Sequence, residues 1–141
     1  MEKTILVLFP NEWDFLEFGS DRYRGHTRFV YEGFDVHKFP ENAKLMVFSA
    51  ERFIARMVKK YRDANLAGVL SNEEQFGALI ASVVAERLGL PGVPPAAILI
   101  AQHKYYAREY SNKVAPEATP AYTVFSPYVS REEDVKQKFP L

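Results

Sequence analysis

Polar side chains that could meet a ligand follow two short apolar runs of the sequence, residues 4–9 and residues 66–70. Open α/β sheets bind ligands at the carboxyl ends of their strands, so residues directly after such runs are candidates for contact with a substrate. Asp14 also follows the first run. The substrate-side candidates are Asn11 and Glu12 after the first run, and Ser71, Asn72, Glu73 and Glu74 after the second.

The second group also has a structural interpretation. Ser71 and Glu74 have the spacing of a capping box, in which a hydroxyl and a carboxylate satisfy free backbone donors at a helix start. Free N–H groups at such a start can hold a substrate carboxylate. Glu73 and Glu74 oppose this use, because acids in a first turn usually complement the helix dipole. The pattern therefore favours Glu74 as a cap over Glu74 as a catalyst.

Several classes of active site lack support. The histidines, His26, His37 and His103, lie in three separate segments without a partner at metal-ligand spacing, and the chain has no cysteine. None of the seven glycines belongs to a dinucleotide-binding or Walker motif, and no serine lies in a nucleophile elbow. The sequence predicts no metal site and assigns no catalytic residue.

Charge and hydropathy restrict the partners. The 18 basic residues balance the 18 acidic ones, so nucleic acid and acidic membrane surfaces are not expected partners. The apolar run at residues 5–9 is too short for a signal peptide or a membrane span. We expect a cytoplasmic protein.

Alternating hydrophobic patterns predict a doubly wound α/β domain with a parallel sheet and helices on both faces. The interval 45–48 is either a short strand or, as we favour, the lead-in to the next helix. Gly89 and Pro91 end the third predicted helix. The predicted strands are 4–9, 34–39, 66–70 and 121–125, and the predicted helices are 20–32, 50–64, 71–88, the stretch 95–114, and 131–138.

One run of motifs resembles a known enzyme family. Gly-Leu-Pro-Gly-Val-Pro-Pro at 89–95 precedes His103-Lys104, and the proline-containing pairs 115–116 and 119–120 follow. The order is similar to the junction between domains in ATP-grasp carboxylate-amine ligases, which include biotin carboxylases and D-alanine ligases. In those enzymes a lysine at the position of Lys104 contacts an ATP phosphate. His103 departs from the family pattern, which usually has Asp there.

The resemblance implies a fold and an activity. It implies a Rossmann-like pre-ATP-grasp domain at 1–103, with a short parallel sheet flanked by helices, and the beginning of an ATP-grasp α+β lobe at 104–141. The full-length protein would use ATP and Mg²⁺ to activate a carboxylate as an acyl phosphate for attack by an amine donor or a similar nucleophile. Its partners would thus be a small-molecule carboxylate and an amine, and a homodimer is compatible with this.

The end of the sequence also bears on the resemblance. Phe139-Pro140 resembles the lead-in to the strand that carries a second phosphate lysine in the family, and the sequence given ends at Leu141. The adenine-binding hinge and the acids that hold magnesium would also come later. We therefore expect these 141 residues to be a fragment that is inactive by itself and binds no cofactor.

Two other classes of function remain open at this point. A flavodoxin-like or receiver-like module that binds a ligand or partner explains the alternating elements equally well. It lacks the Ser/Thr/Gly-rich loop of flavodoxins and the acidic cluster of receivers. A pure interaction domain would use the aromatic residues near the N-terminus as a docking surface, although such residues more often form core. They are Trp13, Phe15, Phe18, Tyr23, Phe29 and Tyr31.

Overall fold

The computed structural model describes residues 2–124. The chain divides into two compact units, Met1–Leu99 and Ile100–Leu141. The predicted domain boundary at 103/104 stays a prediction. Among the described residues, no helix has the length and apolar content needed to cross a bilayer. The elements are β1 Lys3–Leu8, α1 Glu12–Phe18, β2 Thr27–Glu32, α2 Ala50–Tyr61, β3 Leu66–Leu70, α3 Phe76–Arg87, α4 Pro95–Gln102 and α5 Lys104–Val114.

The three strands form one parallel sheet in the order β2-β1-β3. β1 pairs with β2 in an unbroken register from Lys3↔Thr27 to Leu8↔Glu32. Its pairing with β3 shifts once, between Thr4 and Ile5. The predicted parallel α/β architecture is confirmed at this level, as a small sheet flanked by helices.

The central strand is buried on both of its faces, which explains its uninterrupted apolar sequence. Leu6 and Leu8 belong to the core cluster formed with α2 and α3. Val7, which is fully buried, is in register with Tyr31, and the Tyr31 ring packs on Phe15 of α1 at 4.7 Å. Helix α1 therefore covers one face of the sheet, and α2 and α3 cover the other.

Phe9 is the centre of the aromatic core at the carboxyl end of β1. It is 1% exposed. Its ring centroid lies 4.9 Å from those of Phe53 and Phe76. The rings of Phe34 and Phe48 lie 5.7 and 5.6 Å away. Contacts of this geometry stabilise beyond the area that they bury, so α2, α3 and the segment after β2 converge on one residue.

Most predictions for the second half of this unit are confirmed, although the helix predicted from residue 71 begins at Phe76. Helix 50–64 is observed as α2, with Phe53 and Met57 buried. Strand 66–70 is β3. Helix α3 ends as predicted at a left-handed Gly89, with φ of 67°. The interval before α2 is a 3₁₀ helix, Glu41–Val47, followed by Ser49, whose hydroxyl caps α2. It is the predicted lead-in rather than a strand.

Two predictions for the first half are wrong. Residues 20–32 are not a helix. They contain a 3₁₀ turn, Asp21–Tyr23, and then β2, because β-branched and aromatic residues pair well with the exposed edge of β1. The first helix is α1 instead, and it begins earlier than predicted.

Residues 34–39 are not a strand. Asp35 accepts a hydrogen bond from the backbone N–H of His37, and Glu41 accepts one from the N–H of Asp35. Such local side-chain bonds compete with strand pairing. The segment therefore bends across the end of the sheet instead of extending it.

The second unit is described as far as residue 124. The predicted helical stretch 95–114 is observed as two helices, separated at His103, whose backbone is extended. A 3₁₀ turn, Pro116–Ala118, follows α5. The described part of the predicted strand 121–125, residues 121–124, forms no strand. The predicted helix 131–138 lies outside the described residues.

Candidate functional site

The order β2-β1-β3 creates a topological switch point at the carboxyl edge of the sheet. The chain leaves β1 towards β2 on one side and later returns to β3 on the other side. Loops diverge at such a point, and open α/β sheets bind their ligands in the crevice between them. The loops after β1 and β3 carry the substrate-side residues predicted from sequence.

The loop after β1 is held by a reciprocal cap. Asn11 Oδ1 accepts hydrogen bonds from the N–H groups of Trp13 and Asp14, at 2.8 and 3.2 Å. Asp14 Oδ2 in turn accepts from the N–H of Asn11 at 2.9 Å. These bonds satisfy donors that a helix start leaves unpaired. Asn11 is therefore a structural residue of α1, whatever else it contacts.

Hydrogen bonds join the two loops directly. The Asn72 side-chain amide donates to Asp14 Oδ1. Ser71 Oγ donates to the carbonyl of Leu8 at 2.8 Å. Asp14, only 2% exposed, lies beneath the surface of the crevice and holds both loops. The structure thus brings Asn11, Ser71 and Asn72 together.

The predicted capping box of Ser71 and Glu74 is wrong. α3 begins at Phe76, too far along the chain for Ser71 to cap it, and Ser71 Oγ accepts from the N–H of Glu73 at 3.2 Å. Glu73, which is 7% exposed, places its carboxylate at the helix start and accepts from the N–H groups of Gln75 and Gly77. The chain's own carboxylate therefore occupies the position where a substrate carboxylate was considered.

Three substrate-side candidates are exposed at this edge: Glu12, Asn72 and Glu74. Glu12 pairs with Lys38 Nζ, which links the loop after β1 to the segment after β2. The sequence therefore placed the candidates at one edge of the sheet, but Asn11, Ser71 and Glu73 build the edge. The other three are exposed there, and Asn72 also bonds inward to Asp14.

A groove runs between the loop after β1 and the segment after β2, with a volume of about 320 Å³. We call it the acidic groove, because its charged lining consists of the carboxylates Glu12, Glu32, Asp35 and Glu41 against one ammonium group, Lys38. The remaining lining residues are Pro10, Phe15, Tyr31, Gly33 and Phe34. A shallower pocket of about 420 Å³ continues it past Asn11, Trp13 and His37.

Two groups on the wall of this groove have shifted pKa values. Burial, and next the charge of Asp14, raises the pKa of Tyr31 above its usual value. Burial alone would raise the pKa of Glu32, but hydrogen bonds from Lys60 and Tyr61 outweigh it and lower that pKa. Both groups therefore keep their usual charge states at neutral pH: Tyr31 is a neutral hydroxyl and Glu32 is a carboxylate.

Lys104 belongs to the second unit. It is the first residue of α5, its side chain is exposed, and the residue before it, His103, makes no capping hydrogen bond with its side chain. Farther along this helix, Glu109 accepts a hydrogen bond from the Tyr122 hydroxyl, which raises the pKa of Tyr122 to about 12. This bond anchors the chain after α5 to the helix.

Sequence reasoning missed most of the acidic groove. Asp35 and Lys38 lie in the segment 34–39, which was predicted as a strand, and Glu41 lies just after it. The signal that could have found them is Pro40 with the polar residues around it at 35–42, which is typical of turns. Asp14 was recognised after the first strand, but its burial between two loops has no signature in sequence.

Comparisons with known proteins supply no relative: no family model, no curated protein and no solved structure matches this chain. Among residues 2–124, no group of three or more His, Cys, Asp or Glu side chains is arranged to hold a metal ion. Any functional interpretation therefore depends on the residues themselves.

Proposed function

We propose that this chain is the N-terminal part of an ATP-grasp carboxylate-amine ligase, with a Rossmann-like pre-ATP-grasp domain followed by the start of the ATP-binding lobe. The observation that carries the proposal is the ordered run from Gly-Leu-Pro-Gly-Val-Pro-Pro at 89–95 to Lys104 and the proline pairs after it. The small parallel sheet with its switch point supports the same proposal, because it is the architecture expected for the substrate-side domain.

The position of Lys104 adds a physical argument. A lysine in the first turn of a helix faces the positive end of the helix dipole, which disfavours it, and the first turn of α5 has no acidic residue to compensate. Helix stability therefore does not explain Lys104. A phosphate would benefit from both its ammonium group and the helix start, so the described residues suit a phosphate contact, although they supply no set of magnesium ligands.

In the proposed reaction, bound ATP supplies its terminal phosphoryl group to a carboxylate oxygen of the substrate, and ADP leaves. The amine nitrogen then attacks the acyl carbon, loses a proton, and displaces inorganic phosphate. Lys104 holds the phosphate and offsets its negative charge. The substrate-side candidates lie in the first unit, in the loops after β1 and β3, with Glu12 and Asn72 as exposed polar groups.

The test uses the complete polypeptide in which this chain occurs. Binding of ATP with Mg²⁺ is measured by isothermal titration calorimetry for the wild type, Lys104→Ala and Lys113→Ala. Lys113 is a matched control, since it is an exposed lysine in the last turn of the same helix. We expect Lys104→Ala to weaken binding about tenfold or more, as for the loss of one charged contact, and Lys113→Ala to leave it unchanged.

A second measurement identifies the chemistry. Hydroxylamine converts an acyl phosphate into a stable hydroxamate, so ATP-dependent hydroxamate formation across a panel of carboxylates reports activation directly. Equal ATP affinity for the two lysine variants would show that Lys104 does not contact ATP. No detectable ATP binding by the complete polypeptide would overturn the ligase proposal in favour of a ligand-binding or partner-binding module.

A further inference from the structure

A second groove at the same edge of the sheet has the opposite charge. Its volume is about 250 Å³. We call it the basic groove. It is lined by three cationic side chains, three phenylalanine rings and two smaller residues: Lys44, Arg52 and Arg56; Phe34, Phe48 and Phe53; and Val47 and Ser49.

Two elements position the three cations. The 3₁₀ helix Glu41–Val47 supplies Lys44, and the first two turns of α2 supply Arg52 and Arg56. Residues four apart lie on the same face of a helix, and like charges there destabilise it by about 0.2–0.5 kcal/mol. The stability of α2 therefore does not explain the two arginines. Both of their side chains line the groove.

Little within the described residues neutralises these cations. Lys44 Nζ lies 4.0 Å from a Glu41 carboxylate oxygen, a weak contact between two half-exposed groups. None of the ion pairs found in residues 2–124 involves Arg52 or Arg56. Glu32 is near enough to Arg56 for its pKa to be lowered by that charge, but it is bonded to Lys60 and Tyr61. The groove therefore keeps a net positive charge.

The floor of the groove is aromatic. Lys44 lies over the Phe34 ring, with Nζ 5.6 Å from its centroid, and the Arg56 guanidinium lies over the Phe53 ring at 5.2 Å. Phe34 and Phe53 are buried, and Phe48 is half-buried, so its ring is the most open of the three. A flat apolar group could pack on this ring while a negative group meets the cations at the rim.

We propose that the basic groove binds a small organic anion, a carboxylate or phosphate group attached to a flat apolar body. Guanidinium groups bind both anions through paired hydrogen bonds. The volume is slightly below the ~300–1,000 Å³ of sites for drug-sized ligands, which suits a ligand of about one ring. This inference does not depend on the ligase proposal, because it uses neither ATP nor Lys104.

The test is a titration of the ¹⁵N-labelled 141-residue chain, followed by amide chemical shifts. The probes are benzoate, phenyl phosphate, inorganic phosphate and the neutral amide benzamide. We expect saturable shifts at residues 44–56 with benzoate or phenyl phosphate, weaker binding of inorganic phosphate, and no saturation with benzamide. The spectra also show whether each variant is folded.

Arg52→Gln and Arg56→Gln should each weaken binding of the better probe about fivefold to tenfold, as for a partly exposed charged contact. Lys59→Gln, which removes an exposed cation in the last turn of α2, should not change it. If either arginine variant unfolds, Lys44→Gln replaces it.

Four results would overturn the proposal. If benzamide binds as tightly as benzoate, the charge of the ligand plays no part in binding. If inorganic phosphate binds as tightly as phenyl phosphate, the apolar floor plays no part. Equal weakening by Lys59→Gln would show a non-specific effect of net charge. If no probe gives saturable shifts at residues 44–56, the groove is not a binding site for such anions.

Discussion

The hydrogen bond between Asp14 and Asn72 predicts a measurable coupling between two loops 58 residues apart in sequence. Asp14 is 2% exposed and accepts from two donors, the N–H of Asn11 and the Asn72 amide. A hydrogen bond to a charged group contributes about 1.5–3 kcal/mol, and a buried group left unpaired costs a similar amount. The loss of either partner should therefore destabilise the domain, by different routes.

Asn72→Ala should cost about 1.5–3 kcal/mol, because it leaves one buried oxygen of Asp14 without its partner. Asp14→Ala should cost about 2–4 kcal/mol, since it removes that bond and the reciprocal arm of the α1 cap. The double variant should cost less than the sum by about 1–2 kcal/mol, because each single change removes the same bond.

The assay is equilibrium unfolding in urea, followed by far-ultraviolet circular dichroism. Asp63→Ala is the control, since Asp63 is an exposed aspartate just after α2, and a surface change of this kind stays within about 0.5 kcal/mol. Additive costs for Asp14 and Asn72 would refute the coupling. A cost below about 0.5 kcal/mol for Asn72→Ala would show that the bond does not hold the crevice together.

Two further variants test the end of β2 and the residue that follows it, Glu32 and Gly33. Gly33→Ala should cost about 2 kcal/mol or more, measured in urea, because its φ of 106° disfavours a side chain and the new Cβ would lie 2.9 Å from the Phe9 ring. Gly25→Ala is the control, because Gly25 has a φ of 77° but open space around it, and it should cost less. Equal costs for the two variants would show that the contact with the Phe9 ring does not matter. Glu32→Gln should change the pH dependence of the melting temperature, because the pKa of Glu32 is lowered in the folded state. The carboxylate therefore contributes to stability above about pH 4.5, and this contribution is lost as the pH falls through the folded pKa. The difference between wild type and variant should therefore shrink below pH 4.5, and a constant difference would contradict the shift.

The sequence predicted those elements whose local pattern agrees with their final environment. β1 and β3 are apolar runs, and both are strands of the sheet; α2 has one apolar face, and Phe53 and Met57 on that face are buried. Gly89 was predicted to end α3, and it adopts the left-handed conformation that few other residues tolerate. These features are determined by neighbours in sequence.

The errors arise in segments whose structure is determined by contacts with residues outside the segment. Residues 27–32 match helical spacing as well as a strand pattern, and pairing with β1 selects the strand. Residues 34–39 alternate like a strand, but the side chains of Asp35 and Glu41 bond to the backbone and bend the segment. Glu73 instead of Glu74 caps α3, because the loop after β3 turns so that this carboxylate faces inward. Each outcome depends on the fold around the segment.

Phe34 connects the stability of the fold to both grooves at the carboxyl edge. Its ring lines the acidic groove and the basic groove, and it packs edge-on against Phe9, the centre of the aromatic core. The core therefore forms the common floor of two surfaces of opposite charge. Changes at Phe9 or Gly33 should alter both grooves together, whereas changes to the charged rims at Glu12 or Arg52 should alter one. A ligand that binds either groove would in turn stabilise the fold, because the grooves exist only in the folded chain.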